Sequence, residues 1–272
     1  MSMYNVLFIG KDLKENNDAI VTIQNTNRKI FTTCNDSTIE NSKVSFCSWN
    51  KSSIISARTV ILNSEIKLHT IDEIIIYFDS LSFSSKYEID KSENISAAVD
   101  NMILSYQLFI NELLARLDQK KEKTQIIFLA RTLPSKSELN SISSKNISIR
   151  ATSNIISASQ EAFLSLAQNT ASLATERQYL SILLSICNYE NELFKNEKEL
   201  FSWLLTTMDQ VHNQKKQNPK QSLSWIKPVL KPFLDFHYLN KYWSFLCLNL
   251  SHLIFIWTIQ LDYALALYVD FY

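Results

Sequence analysis

Only one glycine, Gly10, occurs in the 272 residues, where average usage would give about one in fourteen. Glycine lets a backbone turn tightly or approach a ligand closely, and phosphate-cradling loops use several at fixed spacing. The chain therefore holds neither a P-loop nor a Gly-x-Ser-x-Gly nucleophile elbow. A general bias toward Asn, Lys, Ile and Ser, of the kind AT-rich codons produce, also depletes glycine. That bias accounts for scarcity without supplying a phosphate site.

What remains is a chain well able to fold, since 46% hydrophobic residues suffice for a substantial core. With 27 basic and 27 acidic residues it lacks the one-signed field of a nucleic-acid binder, and no nucleic-acid partner is expected. Cys34, Cys47, Cys187 and Cys247 form no CxxC pair and read as reduced core thiols. His69, His212, His237 and His252 are isolated, so no metal site is expected. The opening MSMYNVLFIG lacks the basic region and cleavage site of a secretory leader, so the first 220 residues read as cytoplasmic.

Short apolar runs alternate with helical patterns. Strands are expected over 4–9, 29–34, 44–49, 74–78, 125–130 and 179–187. Helices are expected over 52–66, opened by Ser52 or Ser53, and over 95–117, 154–174 and 190–209, with a polar helical candidate in 11–28. The serine-rich stretch 133–150 reads as a loop. This alternation, with strands apolar on both faces, predicts a doubly wound, mostly parallel α/β sheet of Rossmann-like type. Flavodoxin-like and P-loop strand orders share the same alternation.

The domain expected over 1–212 is followed by a polar linker, 213–224, containing Lys215, Lys216 and Lys220. Beyond it, 225–272 is an atypical apolar, aromatic tail whose uncharged run 243–260 reaches the lower limit for a membrane span. Asn249, Ser251, His252 and Thr258 count against burial in lipid. A membrane-contacting tail, a tail packed on protein and a degenerate terminus all remain open.

The order of segments over about 4–210 resembles the short-chain dehydrogenase/reductase family. The resemblance rests on Asn50-Lys51-Ser52-Ser53 through Ile71-Asp72-Glu73-Ile74-Ile75-Ile76, similar to that family's helix and following strand, and on the long helix before Ile126-Ile127-Phe128-Leu129. Where the family carries Tyr-x-x-x-Lys, this chain has Ile156-Ser157-Ala158-Ser159-Gln160. In the family the tyrosine transfers a proton and the lysine lowers its pKa and holds the nicotinamide ribose; isoleucine and glutamine do neither.

The family's glycine-rich turn keeps only Gly10, followed by Lys11, Asp12, Leu13, Lys14, Glu15 and Asn16. Its Asn-Asn-Ala-Gly stretch is replaced by Tyr77-Phe78-Asp79-Ser80. Asp36 stands near the expected ribose-binding acid, although Cys34-Asn35-Asp36-Ser37 also reads as a turn. Thr132, Ser143 and Ser144 are candidates for the family's serine, and Asn101 for its structural asparagine or a solvated helix position.

The resemblance thus implies the fold without its chemistry: a non-catalytic structural or protein-interaction role, with Ile156 and Gln160 as degenerate catalytic positions. Gly10 and Asp36 are the residual cofactor-site candidates; no cofactor is expected, and NAD(P) if any. A homodimer through helices 95–117 and 155–174 follows from how the family pairs its subunits. The alternatives are an NAD(P)-dependent oxidoreductase using Tyr77 or Tyr106 as proton donor, and a membrane-attached accessory protein.

Overall fold

The computed structural model describes residues 3–11, 17–34, 43–87, 92–141, 152–213 and 224–228. Two compact units are present, Met1–Pro228 and Val229–Tyr272. The second lies outside the described residues, as does the expected membrane-contacting run 243–260. Among the described residues no helix is long and apolar enough to cross a membrane.

The first unit is a six-stranded, all-parallel sheet: β1 (Tyr4–Ile9), β2 (Arg28–Thr33), β3 (Val44–Cys47), β4 (Glu73–Asp79), β5 (Thr124–Thr132) and β6 (Leu180–Asn188), in the order β3-β2-β1-β4-β5-β6. The order turns back between β1 and β4, the doubly wound arrangement whose crevice opens at the carboxyl ends of the strands.

Helices α1 (Asp18–Gln24) and α8 (Glu197–Asn213) cover one face. Helices α2 (Ile54–Leu68), α5 (Ser105–Lys120) and α7 (Asn154–Ala174) cover the other. Alternation within the central strands assigns each residue to a face. Ile74, Ile76 and Phe78 face α2, α5 and α7, whereas Ile75 and Tyr77 face α1 and α8. Burial on both sides explains the unbroken apolar runs, each such side chain stabilising by about 1.5–3 kcal/mol.

Cap chemistry fixes several helix starts. Ser53 and Ser153 accept hydrogen bonds from the Ser56 and Ile156 amides, placing α2 and α7 where the periodicity puts them. The expected helix 95–117 is a longer helical stretch, built from α4 (Ser92–Val99), a π-helical turn over Asp100–Leu104, and α5. Asn101 donates to the Ala97 carbonyl and Ser105 to the Asn101 carbonyl, each at 2.7 Å, side-chain bonds that compete with the ladder there. Two short helices, α3 (Ser80–Lys86) and α6 (Lys136–Ser141), stand where no helix is expected from the sequence. Farther along the chain, the Ile226 amide donates to Leu184 and its carbonyl accepts from the Ile186 amide, extending the sheet beyond β6 in parallel sense.

Candidate functional site

The carboxyl ends of β1, β4 and β5 meet at Gly10, which follows β1 with φ +118°. A Cβ there would lie 2.0 Å from the Tyr77 carbonyl oxygen and 2.9 Å from the Tyr106 hydroxyl, so only glycine fits. Lys51 donates to the Gly10 carbonyl at 3.3 Å. A cavity of about 200 Å³ opens beside these groups, lined also by Lys11, Asp79 and Ser82.

Charge is densely paired at this end. Asp79, 1% exposed, accepts a two-point fork from Arg131, both bonds 2.8 Å, and lies 3.2 Å from the Lys11 ammonium. Lys11 in turn donates to Glu197 at 2.7 Å. Glu197, in the first turn of α8, also accepts from Tyr77 at 3.3 Å and from Asn17, the N-cap of α1, at 3.4 Å. Burial acts against the Arg131 charge, but Tyr77 and the Asp79 carboxylate outweigh it and its pKa is raised.

Both tyrosines are buried. Burial, reinforced by the Asp79 charge, pushes the fully buried Tyr77 phenol well above its usual range. Tyr106, 1% exposed, donates to the Tyr77 carbonyl at 2.7 Å.

On α7, Ile156 is fully buried in the face shared with α2 and α5. Gln160, one turn on, accepts from the Ser80 hydroxyl at 2.8 Å and from the Leu133 amide at 3.2 Å. Its amide oxygen joins the starts of α3 and of the segment after β5. Cys34, Cys47 and Cys187 are free thiols, with burial raising Cys47 to about 12 and Cys187 to about 11. Among the described residues no group of His, Cys, Asp and Glu could hold a metal ion.

No protein-family model matches the chain, and neither does any curated protein. Solved structures do. A protein described as a 3-oxoacyl-reductase from Bacillus thuringiensis is similar with TM-score 0.57 and 8% identity, over 86% of this chain and 99% of that one. A doubly substituted short-chain dehydrogenase/reductase from Serratia marcescens gives TM-score 0.54 and 9% identity, over 83% and 95%. One from Burkholderia phymatum, in complex with NAD, gives TM-score 0.50 and 10% identity, over 83% and 89%. This chain has the short-chain dehydrogenase/reductase fold.

Doubly wound dinucleotide-binding folds place a pyrophosphate at the N-terminus of the helix after the first strand. In this dehydrogenase fold the Glu197 carboxylate sits against the Asn17 cap of that helix, with Asp79 nearby on the same lysine. A pyrophosphate at that spot would meet carboxylates, so the described residues fit the group poorly. Asp36, Asp12, Lys14, Glu15, Ser143 and Ser144 lie outside the described residues. Thr132 is buried at the end of β5, and Asn101 is bonded within the π-helical turn.

Arg131 and Glu197 were not expected at this site from the sequence. A signal for Arg131 exists, because a charge closing a buried apolar strand demands a partner. Glu197 carries no such mark.

Proposed function

We propose that the chain is a non-catalytic protein of dehydrogenase fold whose role is to bind a protein partner. The observation that carries this reading is the mutual pairing of Lys11, Asp79, Arg131 and Glu197 where the fold class opens its ligand crevice. Ile156 and Gln160 support it, since one is core and the other is bonded to Ser80 and Leu133. No cofactor is expected; if any is held, it is NAD(P).

Titration of the full chain with NADH tests the reading. The expected outcome is no saturable change in NADH fluorescence; a saturable change would overturn it. The paired substitution Ile156→Tyr with Gln160→Lys is expected to create no NADH-dependent reduction of a carbonyl substrate.

The partner we propose is a second copy, meeting through helices 95–117 and 155–174. The wide apolar stripes of these helices face the sheet, with Tyr106, Phe109, Leu113 and Phe163 buried. Leu173, 52% exposed, is offered for the outer contact, while Leu114, Leu164 and Leu166 are partly buried against the core. Light scattering of the full chain is expected to give twice the chain mass, and a monomer at all concentrations refutes the dimer. The free thiols of Cys34, Cys47 and Cys187 support a cytoplasmic setting.

A further inference from the structure

At the amino end of the strands, opposite Gly10, a cavity of about 510 Å³ lies between the starts of β5 and β6 and the last turn of α8. That volume is within the range of about 300–1,000 Å³ typical of small-molecule sites. Gln125 lines it and is 3% exposed, yet neither its Nε2 nor its Oε1 has a hydrogen-bond partner. Buried amides in folded proteins are almost always bonded, so this one calls for a missing partner.

Strand register settles where the amide points. Gln125 stands beside Glu73 on β4 and Ser181 on β6, so the three side chains share the face that α8 covers. Glu73 on that face meets His212 at 3.0 Å, and His212 and Val211 form the cavity's α8 wall. The amide therefore lies on the cavity's side of the sheet and away from the α5 and α7 side, its two polar atoms buried beneath the cavity floor.

The surroundings define the ligand's chemistry. A primary amide presents a donor and an acceptor side by side in one plane, and its complement is an acceptor beside a donor. Nucleobase edges and other carboxamides have that arrangement. The walls combine flat rings with polar side chains: Tyr4 stacks on His212 at 4.9 Å, Tyr179 and Leu180 close the other side, and Thr124, Gln178 and Ser181 add hydrogen-bonding groups. Charge is balanced, with one lysine, Lys123, and one carboxylate, Asp72, which accepts from the Asn5 amide at 2.8 Å. A neutral planar ligand suits this balance better than an anion.

We infer that this cavity is a binding site for a neutral, planar ligand carrying an adjacent donor and acceptor, a nucleobase or a carboxamide, held by the Gln125 amide. The inference stands independently of whether a dinucleotide binds at the other end of the sheet.

Saturation-transfer NMR on the full chain, with adenosine and benzamide as separate probes, tests it. Saturable binding of at least one probe below ~10 mM is expected, and whichever binds tells base from carboxamide. Gln125→Leu, close in size, should weaken that binding by about tenfold or more, with Gln125→Met as a second variant should the first fail to fold. Lys51→Ala, beside Gly10, should leave it unchanged. Two results overturn the assignment: neither probe binding, which leaves water as the amide's partner, or binding that survives loss of Gln125 and falls with loss of Lys51.

Discussion

The two ends of the central strand pair are built from the same parts with opposite results. On β4 the positions facing α8 read Glu73, Ile75, Tyr77, Asp79, and beside them on β5 stand Gln125, Ile127, Leu129, Arg131. At the carboxyl end the neighbours pair directly, Arg131 forking onto Asp79. At the amino end Glu73 takes its fork from Arg28 across the sheet, at 2.7 and 2.9 Å, with His212 as a further partner, and Gln125 is left unbonded. Helix α8 is fastened at both ends, by Glu197 to Lys11 and by Asp209 to Arg28. The lesson is that a charge on a buried strand is tolerated where its partner is geometrically assured, and that the position left without one marks the place to look for a ligand.

The largest effect expected is from removing either arginine. Arg28→Ala leaves the fully buried Glu73 with only His212, and Arg131→Ala leaves Asp79 with Lys11. Urea unfolding should show losses of about 3–5 kcal/mol, with Arg28→Ala the worse because it releases Asp209 as well as Glu73. A negligible loss in either variant would break the parallel between the two ends. Gly10→Ala should cost about 3 kcal/mol, through a disfavoured φ and a collision with the Tyr77 carbonyl. A stable alanine variant would show that this end of the sheet yields easily.

Much of the fold is legible in the sequence, because burial on both faces writes Ile74–Phe78 and Ile126–Ala130 as continuous apolar runs. Helix α7 is legible to its ends, since its period and its serine cap agree. Helix α3 is not, because Ser80–Lys86 offers only Leu81 and Phe83 as apolar residues and its cap is the same Asp79 that closes β4. The π-helical turn leaves no compositional trace. The site is less legible than the fold: Lys11 and Glu197 are 186 positions apart and Asp79 and Arg131 are 52 apart. Such pairings depend on strand order, which alternation of elements leaves open.

Gln160→Leu strips the bonds offered by Ser80 and the Leu133 amide and should lower stability by about 1–3 kcal/mol. A neutral outcome would mean those donors find other partners.

Acid should act on the amino end through Glu73. Burial opposes its ionisation, but the bonds from His212 and Arg28 outweigh it and hold its pKa below the ordinary 4.5. Its contribution is therefore complete above that value and fades as pH falls through the depressed native one. Urea midpoints should drop as pH is lowered from about 6 to about 3, with a smaller drop in Arg28→Ala. Identical pH profiles for the two proteins would separate Glu73 from the acid response.

The smallest effect is expected from Gln125→Leu. Removing an amide with no partner should leave unfolding free energy unchanged within about 1 kcal/mol, or raise it. A clear loss of stability would mean that the amide is already bonded.

The backbone pairing of Ile226 with β6 has a consequence for handling the protein. Among the described residues those two hydrogen bonds occupy part of the outer edge of β6, and an uncovered strand edge recruits strands from other molecules. A version cut before Ile226 would expose it. Such a fragment would be prone to self-association, and poor behaviour on truncation would reflect the freed edge even where the core is intact.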